Sequence, residues 1–143
     1  MVTYDTARRL KEAGLVWVPH KGDRFIVPDR GLDEQVFAVN DMAVIVEMLK
    51  GSPAVSFHGT PEWALDYVWV GEALWLPDEG QLRQLVQERL AAGEITVFDL
   101  LYADGVYTCR FEWAGQSLAC ASPDAAEAYA DALLRLLDHP AAT

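Results

Sequence analysis

The order of apolar and polar residues along the chain predicts alternating helical and extended segments. Ala7, Leu10 and Ala13 recur at helical spacing, so a helix is expected from Tyr4 to Ala13. Thr3 can cap its start, and Gly14 can end it in a left-handed conformation. Leu15–Val18 and Arg24–Val27 read as strands flanking a turn at His20-Lys21-Gly22-Asp23. Pro28-Asp29-Arg30-Gly31 is a second turn, and Gln35–Val39 a further short strand. The apolar run Met42–Leu49 fits strand or helix by periodicity. Three successive β-branched residues, Val44, Ile45 and Val46, favour strand, with a turn at Lys50-Gly51-Ser52-Pro53 leading into Ala54–Phe57.

Thr60-Pro61-Glu62 has the order of a helix start: a capping hydroxyl, a proline at the first helical position, then an acid near the positive helix end. A short helix is expected from Pro61 to Val68, followed by an extended, largely buried connection over Trp69–Leu76. Asp78 caps the next helix, which Leu82, Leu85, Val86 and Leu90 stripe on one face and Gly93 ends.

The C-terminal third carries the clearest pattern. Ile95–Ala103, Val106–Trp113 and Gln116–Ala121 alternate with strand period, separated by Asp104-Gly105 and Ala114-Gly115. A two-residue turn at Asp104-Gly105 sets Tyr102 opposite Tyr107, Leu100 opposite Cys109 and Phe98 opposite Phe111 on one face. The other face then pairs Asp99 with Arg110. The second turn sets Trp113 opposite Gln116, Phe111 opposite Leu118 and Cys109 opposite Cys120. A slip of one residue would move every apolar side chain to the wet face, so turn chemistry and pattern specify one register together. Ser122-Pro123-Asp124 repeats the helix-start logic for a last helix striped by Ala126, Tyr129, Ala130, Leu133, Leu136 and Leu137, with Glu127, Asp131 and Arg135 on its wet face. That helix is expected to cover the apolar face of the meander.

The fold class implied is α+β: an antiparallel sheet including a C-terminal three-stranded meander, packed by helices. No repeat or long linker interrupts the 143 residues, so residues 1–143 read as a single domain, long enough to bury roughly 68% of its extended surface.

Charge narrows the function classes. The formal net charge is −11, from 11 basic and 22 acidic residues. Residues 1–30 hold six of the basic and four of the acidic ones, so the excess of acid lies wholly beyond them. Such a surface repels phosphate backbones and argues against nucleic-acid binding. The start of the chain lacks a basic stretch followed by an apolar run, and no apolar run approaches membrane-spanning length. The two cysteines, Cys109 and Cys120, are too few for a disulfide framework or a structural zinc site. A cytoplasmic setting follows as an expectation, with no membrane contact.

Candidate chemistry is sparse. No Gly-rich nucleotide loop, no nucleophile elbow and no H-E-x-x-H metal spacing occurs, so no cofactor, metal or catalytic residue is assigned. Cys109 and Cys120, as cross-strand neighbours, admit a redox pair, but with no basic residue near to lower a thiol pKa the preferred reading is two small buried hydrophobes. Of the histidines, His20 falls in a turn and His139 in the tail. His58 ends a strand near Glu62 and Asp66, a spacing open to a general base with an orienting acid; bracing a helix start is the preferred role. Asp29-Arg30 could meet an anion, and a solvated turn pair is preferred. Of five tryptophans, Trp63, Trp69 and Trp75 cluster in one segment. With His58 they form the candidate binding surface, with Trp69 or Trp75 expected to be partly exposed or in a subunit contact.

Several stretches carry a family resemblance: Arg8-Arg9-Leu10-Lys11-Glu12-Ala13-Gly14-Leu15-Val16-Trp17, Gly22-Asp23-Arg24-Phe25, Pro28-Asp29-Arg30, Glu62-Trp63-Ala64-Leu65-Asp66 and Glu72-Ala73-Leu74-Trp75-Leu76-Pro77. In these the chain resembles a group of short bacterial proteins, some labelled as pilus-assembly proteins. The resemblance implies a bacterial cytoplasmic protein and supplies no catalytic residues. The nucleotide-binding loop that a pilus-assembly ATPase needs is not in this sequence. The function expected is that of a small acidic accessory or regulatory domain, non-enzymatic, binding another protein or a second copy of itself. Two alternatives stand beside it: a small enzyme using His58 with Glu62 or Asp66, and an acidic immunity- or inhibitor-type protein that neutralises a basic partner.

Overall fold

A computed structural model describes residues 1–31, 35–40, 43–58 and 67–138. In chain order the elements are α1 (Tyr4–Glu12), β1 (Arg24–Ile26), β2 (Phe37–Ala38), β3 (Val44–Leu49), β4 (Ser52–Phe57), β5 (Tyr67–Trp69), a 3-10 turn (Val70–Glu72), β6 (Leu74–Leu76), α2 (Glu79–Ala92), β7 (Phe98–Ala103), β8 (Val106–Trp113), β9 (Gln116–Ser122) and α3 (Ala125–Asp138). The α+β class expected from the sequence is what the chain adopts, with three antiparallel three-stranded sheets among the described residues. Contacts group the chain into two compact units: Met1–Leu15 with Pro77–Thr143, and Val16–Leu76. The chain leaves the first unit after Leu15 and re-enters it at Pro77 without a Gly- or Ser-rich linker at either crossing.

The unit over Val16–Leu76 contains two sheets, ordered β2-β1-β6 and β3-β4-β5. Its core joins Trp17, Phe25, Val27, Phe37, Val39, Val44, Val55 and Val68, with Phe25 stacked on Phe37 at 5.5 Å between ring centroids. The ambiguous run does become a strand, β3, hairpinned to β4 through Lys50-Gly51. Both turn residues have positive φ, as a two-residue turn of matching twist requires.

Other expectations for this unit are corrected. Leu15–Val18 is not a strand. Burial alternates as it would in a strand, with Trp17 inside and Val16 and Val18 outside, but Trp17 is held by its indole N–H donating to the buried Asp23 carboxylate at 3.0 Å rather than by a ladder. The partners of β1 are β2 and β6. The turn at His20–Asp23 is present, closed by the Asp23 N–H on the His20 carbonyl at 3.0 Å. Gln35–Val39 contracts to the two residues of β2. The predicted helix Pro61–Val68 lies outside the described residues up to Asp66, and Tyr67 and Val68, given to that helix, belong to β5. Trp69–Leu76 is largely buried but not continuously extended, being broken by the 3-10 turn.

In the other unit α3 is the central element, touching α1, α2, β8 and β9. It is buried almost all round, at Ala125, Ala126, Ala128, Tyr129, Ala130, Ala132, Leu133, Leu134 and Leu136. Small side chains on several of its faces allow close approach on each. Its start is shifted from expectation: Asp124, not Ser122, caps it, accepting from the Ala126 N–H at 2.8 Å. The three residues assigned to its wet face also divide. Arg135 is exposed, whereas Asp131 and Glu127 are half-buried. Glu127 ties α3 to the capped start of α1, accepting from the Thr3 N–H at 2.8 Å and the Thr6 hydroxyl at 2.7 Å.

The meander has the predicted register at every position. Phe98 faces Phe111, Asp99 faces Arg110, Leu100 faces Cys109 and Tyr102 faces Tyr107. Phe111 faces Leu118 and Cys109 faces Cys120. Two departures matter for function. Ile95–Val97 is not strand, because the Ile95 N–H is bound to the Leu90 carbonyl at 2.8 Å in the cap that ends α2. And the apolar face is not buried to its end: Tyr102, at the hairpin tip, is 60% exposed.

Candidate interaction surface

The aromatic segment proposed from the sequence is dispersed. Trp69 ends β5, half-buried, with an edge-on contact to Tyr67 at 5.1 Å. Trp75 lies on β6, in the other sheet of its unit, half-buried against the core. Its indole N–H is buried and has no hydrogen-bond partner among the described residues. Trp63, Glu62 and Asp66 lie outside the described residues, as does His139. His58 is exposed at the end of β4, and its backbone N–H donates to the Ala43 carbonyl at 2.7 Å. His20 is exposed too, its backbone N–H donating to Asp23 at 2.8 Å. Trp17 and Trp113 are core.

The turn at Pro28–Gly31 does not hold a solitary cation, since the Arg30 guanidinium donates to Glu72 at 2.7 Å. The two cysteines are free and buried. Burial first, then the neighbouring Cys120 and Asp99, pushes the Cys109 thiol up to about 12. Burial raises Cys120 as well. Both remain protonated at neutral pH, opposite to what a reactive redox pair needs. Among the described residues no cluster of His, Cys, Asp and Glu could hold a metal ion, and no helix is long and apolar enough to cross a membrane.

The surface that sequence reasoning missed lies on the meander. Among the described residues β7 pairs only with β8, which puts it at the edge of its sheet. Its outer face carries Asp99, Leu101 and Ala103, all exposed. Arg110 grips Asp99 with two hydrogen bonds, at 2.8 and 3.1 Å, and this holds the Asp99 carboxyl below its ordinary value. Leu101 is 47% exposed, and Val97, just before the strand, is 74% exposed. Tyr102 meets Tyr107 at the open end of the inner face, with ring centroids 4.7 Å apart and the planes tilted by 48°. An open groove of about 610 Å³ crosses the meander from the start of β7 to β9, lined in part by Val97, Asp99, Arg110, Trp113 and Ser117. The signal was present in the sequence: strand alternation puts Leu101 on the same face as Asp99, where a polar residue would be ordinary.

A second, smaller groove of about 320 Å³ lies between β9 and α3, lined by Arg9, Asp131, Arg135 and Asp138 among others. Its charges largely answer one another. Burial raises the Asp131 carboxyl, and Arg9 and Arg135 oppose that shift.

Compared with models of known families, with curated proteins and with solved structures, the chain matches none.

Proposed function

We propose that this chain is a non-enzymatic accessory module that binds a protein chain, and that it does so through the edge of β7. The observation that carries the reading is the free, apolar edge itself. Edge strands with unpaired backbone groups invite another strand, and proteins ordinarily guard them with lysine, proline, bulges or a covering element. Phe98-Asp99-Leu100-Leu101-Tyr102-Ala103 has no lysine, proline or glycine, and its one charge is matched by Arg110. Main-chain pairing at such an edge supplies affinity, and side chains on alternate positions supply specificity. Trp69 and Trp75, on the other unit, remain candidates for a second contact of the same kind. The setting we propose is the cytoplasm of a bacterium, in keeping with a composition of only two cysteines.

The experiment is site-specific photo-crosslinking in the native host, with a benzophenone amino acid at Leu101 and, as control, at Gln87 on the exposed face of α2. Adducts to a protein chain from position 101 and not from 87 are expected. No adduct from 101 under conditions where the protein is folded and abundant would overturn the reading.

A further inference from the structure

We infer that the strand which completes the β7 edge is β7 of a second copy of this chain, paired antiparallel about a twofold axis at Leu100. The inference rests on the reading above and specifies its partner.

The turn fixes which backbone groups are free. Asp104 and Gly105 have φ of 52° and 80°, the two-residue turn whose flanking pair, Ala103 and Val106, exchanges both backbone hydrogen bonds. Counting back from that pair, Leu101 and Asp99 direct their N–H and C=O toward β8. Those of Phe98, Leu100 and Tyr102 point away from it. No other strand pairs on that side among the described residues.

The three residues with outward-facing backbone are also the three whose side chains lie on the inner face. They read aromatic, leucine, aromatic, which is the same in both directions. An antiparallel copy with Leu100 on the axis therefore sets Phe98 opposite the second copy's Tyr102, Leu100 opposite its own equivalent, and Tyr102 opposite the second copy's Phe98. Free donors and acceptors meet in this register. Aromatic pairs and a leucine pair are favourable cross-strand neighbours, and a contact that reads alike from both sides is what a twofold interface requires. On the outer face, Leu101 comes opposite Asp99, whose charge Arg110 already balances. The strand thus lets two chains of net charge −11 meet where neither presents uncompensated charge. The product is one sheet of six strands, with the half-exposed inner-face end at Tyr102 and Tyr107 extended by a second set of rings.

With five residues on each side the contact lies at the small end of specific interfaces, so a dissociation constant in about the micromolar range is expected. Sedimentation equilibrium of the purified full chain over about 1–200 µM reads this directly. The weight-average mass should climb from that of the 143-residue chain toward twice that value. Two variants locate the contact. Tyr102→Pro removes an outward N–H and leaves the β8 ladder intact, which an edge strand tolerates. Leu101→Glu places a carboxylate directly opposite the second copy's Asp99, and like charges facing each other across paired strands are destabilising. Both should stay monomeric throughout the range with an unchanged far-UV circular dichroism spectrum, and if Tyr102→Pro does not fold, Leu101→Glu decides. A wild-type chain that is monomeric at the highest concentration overturns the inference, as does a dimer untouched by the folded variants. The crosslinking above separates the two failures. A monomeric chain whose position 101 captures a different protein overturns self-pairing and leaves protein binding in place. A monomeric chain that captures nothing overturns both.

Discussion

The end of α2 offers a test of the backbone that is independent of any partner. The motif that closes this helix needs one residue in the left-handed region, and glycine is the usual occupant. The chain supplies Gly93, but Gly93 has φ −92°, and the left-handed position falls on Glu94 at φ 64°. Two bonds fix that assignment: the Glu94 N–H on the Ala91 carbonyl at 2.9 Å and the Ile95 N–H on the Leu90 carbonyl at 2.8 Å. At the end of α1 the same motif, with Leu15 N–H on Leu10 at 3.0 Å, has Gly14 at the left-handed position with φ 106°. An L-residue in that region costs about 1–2 kcal/mol, and glycine costs about 0.5–1 kcal/mol in chain entropy. Glu94 is exposed, so no packing is lost with its side chain, and removing an anion from a helix C-terminus adds about 0.3 kcal/mol. Glu94→Gly should therefore stabilise by about 1 kcal/mol, which raises Tm by about 3–4 °C for a chain of this size. Gly93→Ala should be neutral or slightly stabilising. Gly14→Ala should cost about 1 kcal/mol, all of it from the backbone, because an added Cβ there meets nothing within 4 Å. Urea unfolding followed by circular dichroism measures all three. If Gly93→Ala is the damaging change and Glu94→Gly brings no gain, the left-handed residue is Gly93 and the geometry is wrong.

Asp78→Ala should destabilise by about 1 kcal/mol, because it removes the carboxylate that accepts from the Gln81 N–H at 2.8 Å and leaves only the reciprocal bond, from the backbone N–H of position 78 to the Gln81 side chain at 2.9 Å; the same unfolding assay reads it. Asp23→Ala should cost about 2–3 kcal/mol, since it orphans the Trp17 indole N–H and the His20 N–H; retention of stability in urea would show that carboxylate to be dispensable. Native Cys109 and Cys120 should react negligibly with a thiol reagent at pH 8, with two equivalents released on unfolding, given the burial that raises both thiols. The folded state keeps a proton that the unfolded chain gives up near pH 9, so the Cys109 contribution to stability is lost as pH rises from about 9 toward 12. Cys109→Ser should flatten that alkaline loss, measured by unfolding across the interval.

What could be read from the sequence was local. The meander register followed from two turns of two residues each, because a short turn leaves the strands only one way to pair. The same holds for the caps at Thr3 and Asp78, which involve neighbours within a few residues, whereas the turn expected over Lys50-Gly51-Ser52-Pro53 contracts to Lys50-Gly51, with Ser52 and Pro53 in β4. The failures are non-local. β1 pairs with β6, about 50 residues away, and nothing near Arg24–Ile26 announces that partner. Leu15–Val18 has the alternation of a strand and even its burial pattern, yet a side-chain hydrogen bond to Asp23 takes the place of a ladder. Glu127 looked like a solvent residue because its partners, Thr3 and Thr6, stand more than 120 positions earlier. The candidate surface is a different case: Trp69 and Trp75 are partly exposed, as expected, but stand on separate sheets of their unit. A row of tryptophans was a conspicuous compositional feature, whereas a free edge shows only once one knows which strand ends the sheet.

The hydrogen bonds between α1 and Glu127 also set an order of events during synthesis. A ribosome adding about 5–20 residues per second makes Thr6 some ten seconds before Glu127, the residue that Thr6 will hold. Until then α1 has no α3 to pack on, and nine residues are too few to remain helical alone in water. Val16–Leu76 is a contiguous stretch and is complete long before that point. The nascent chain therefore carries an amphipathic N-terminal segment, its narrow apolar stripe uncovered, past a region able to collapse first, and that segment is where a chaperone would have the longest time to act.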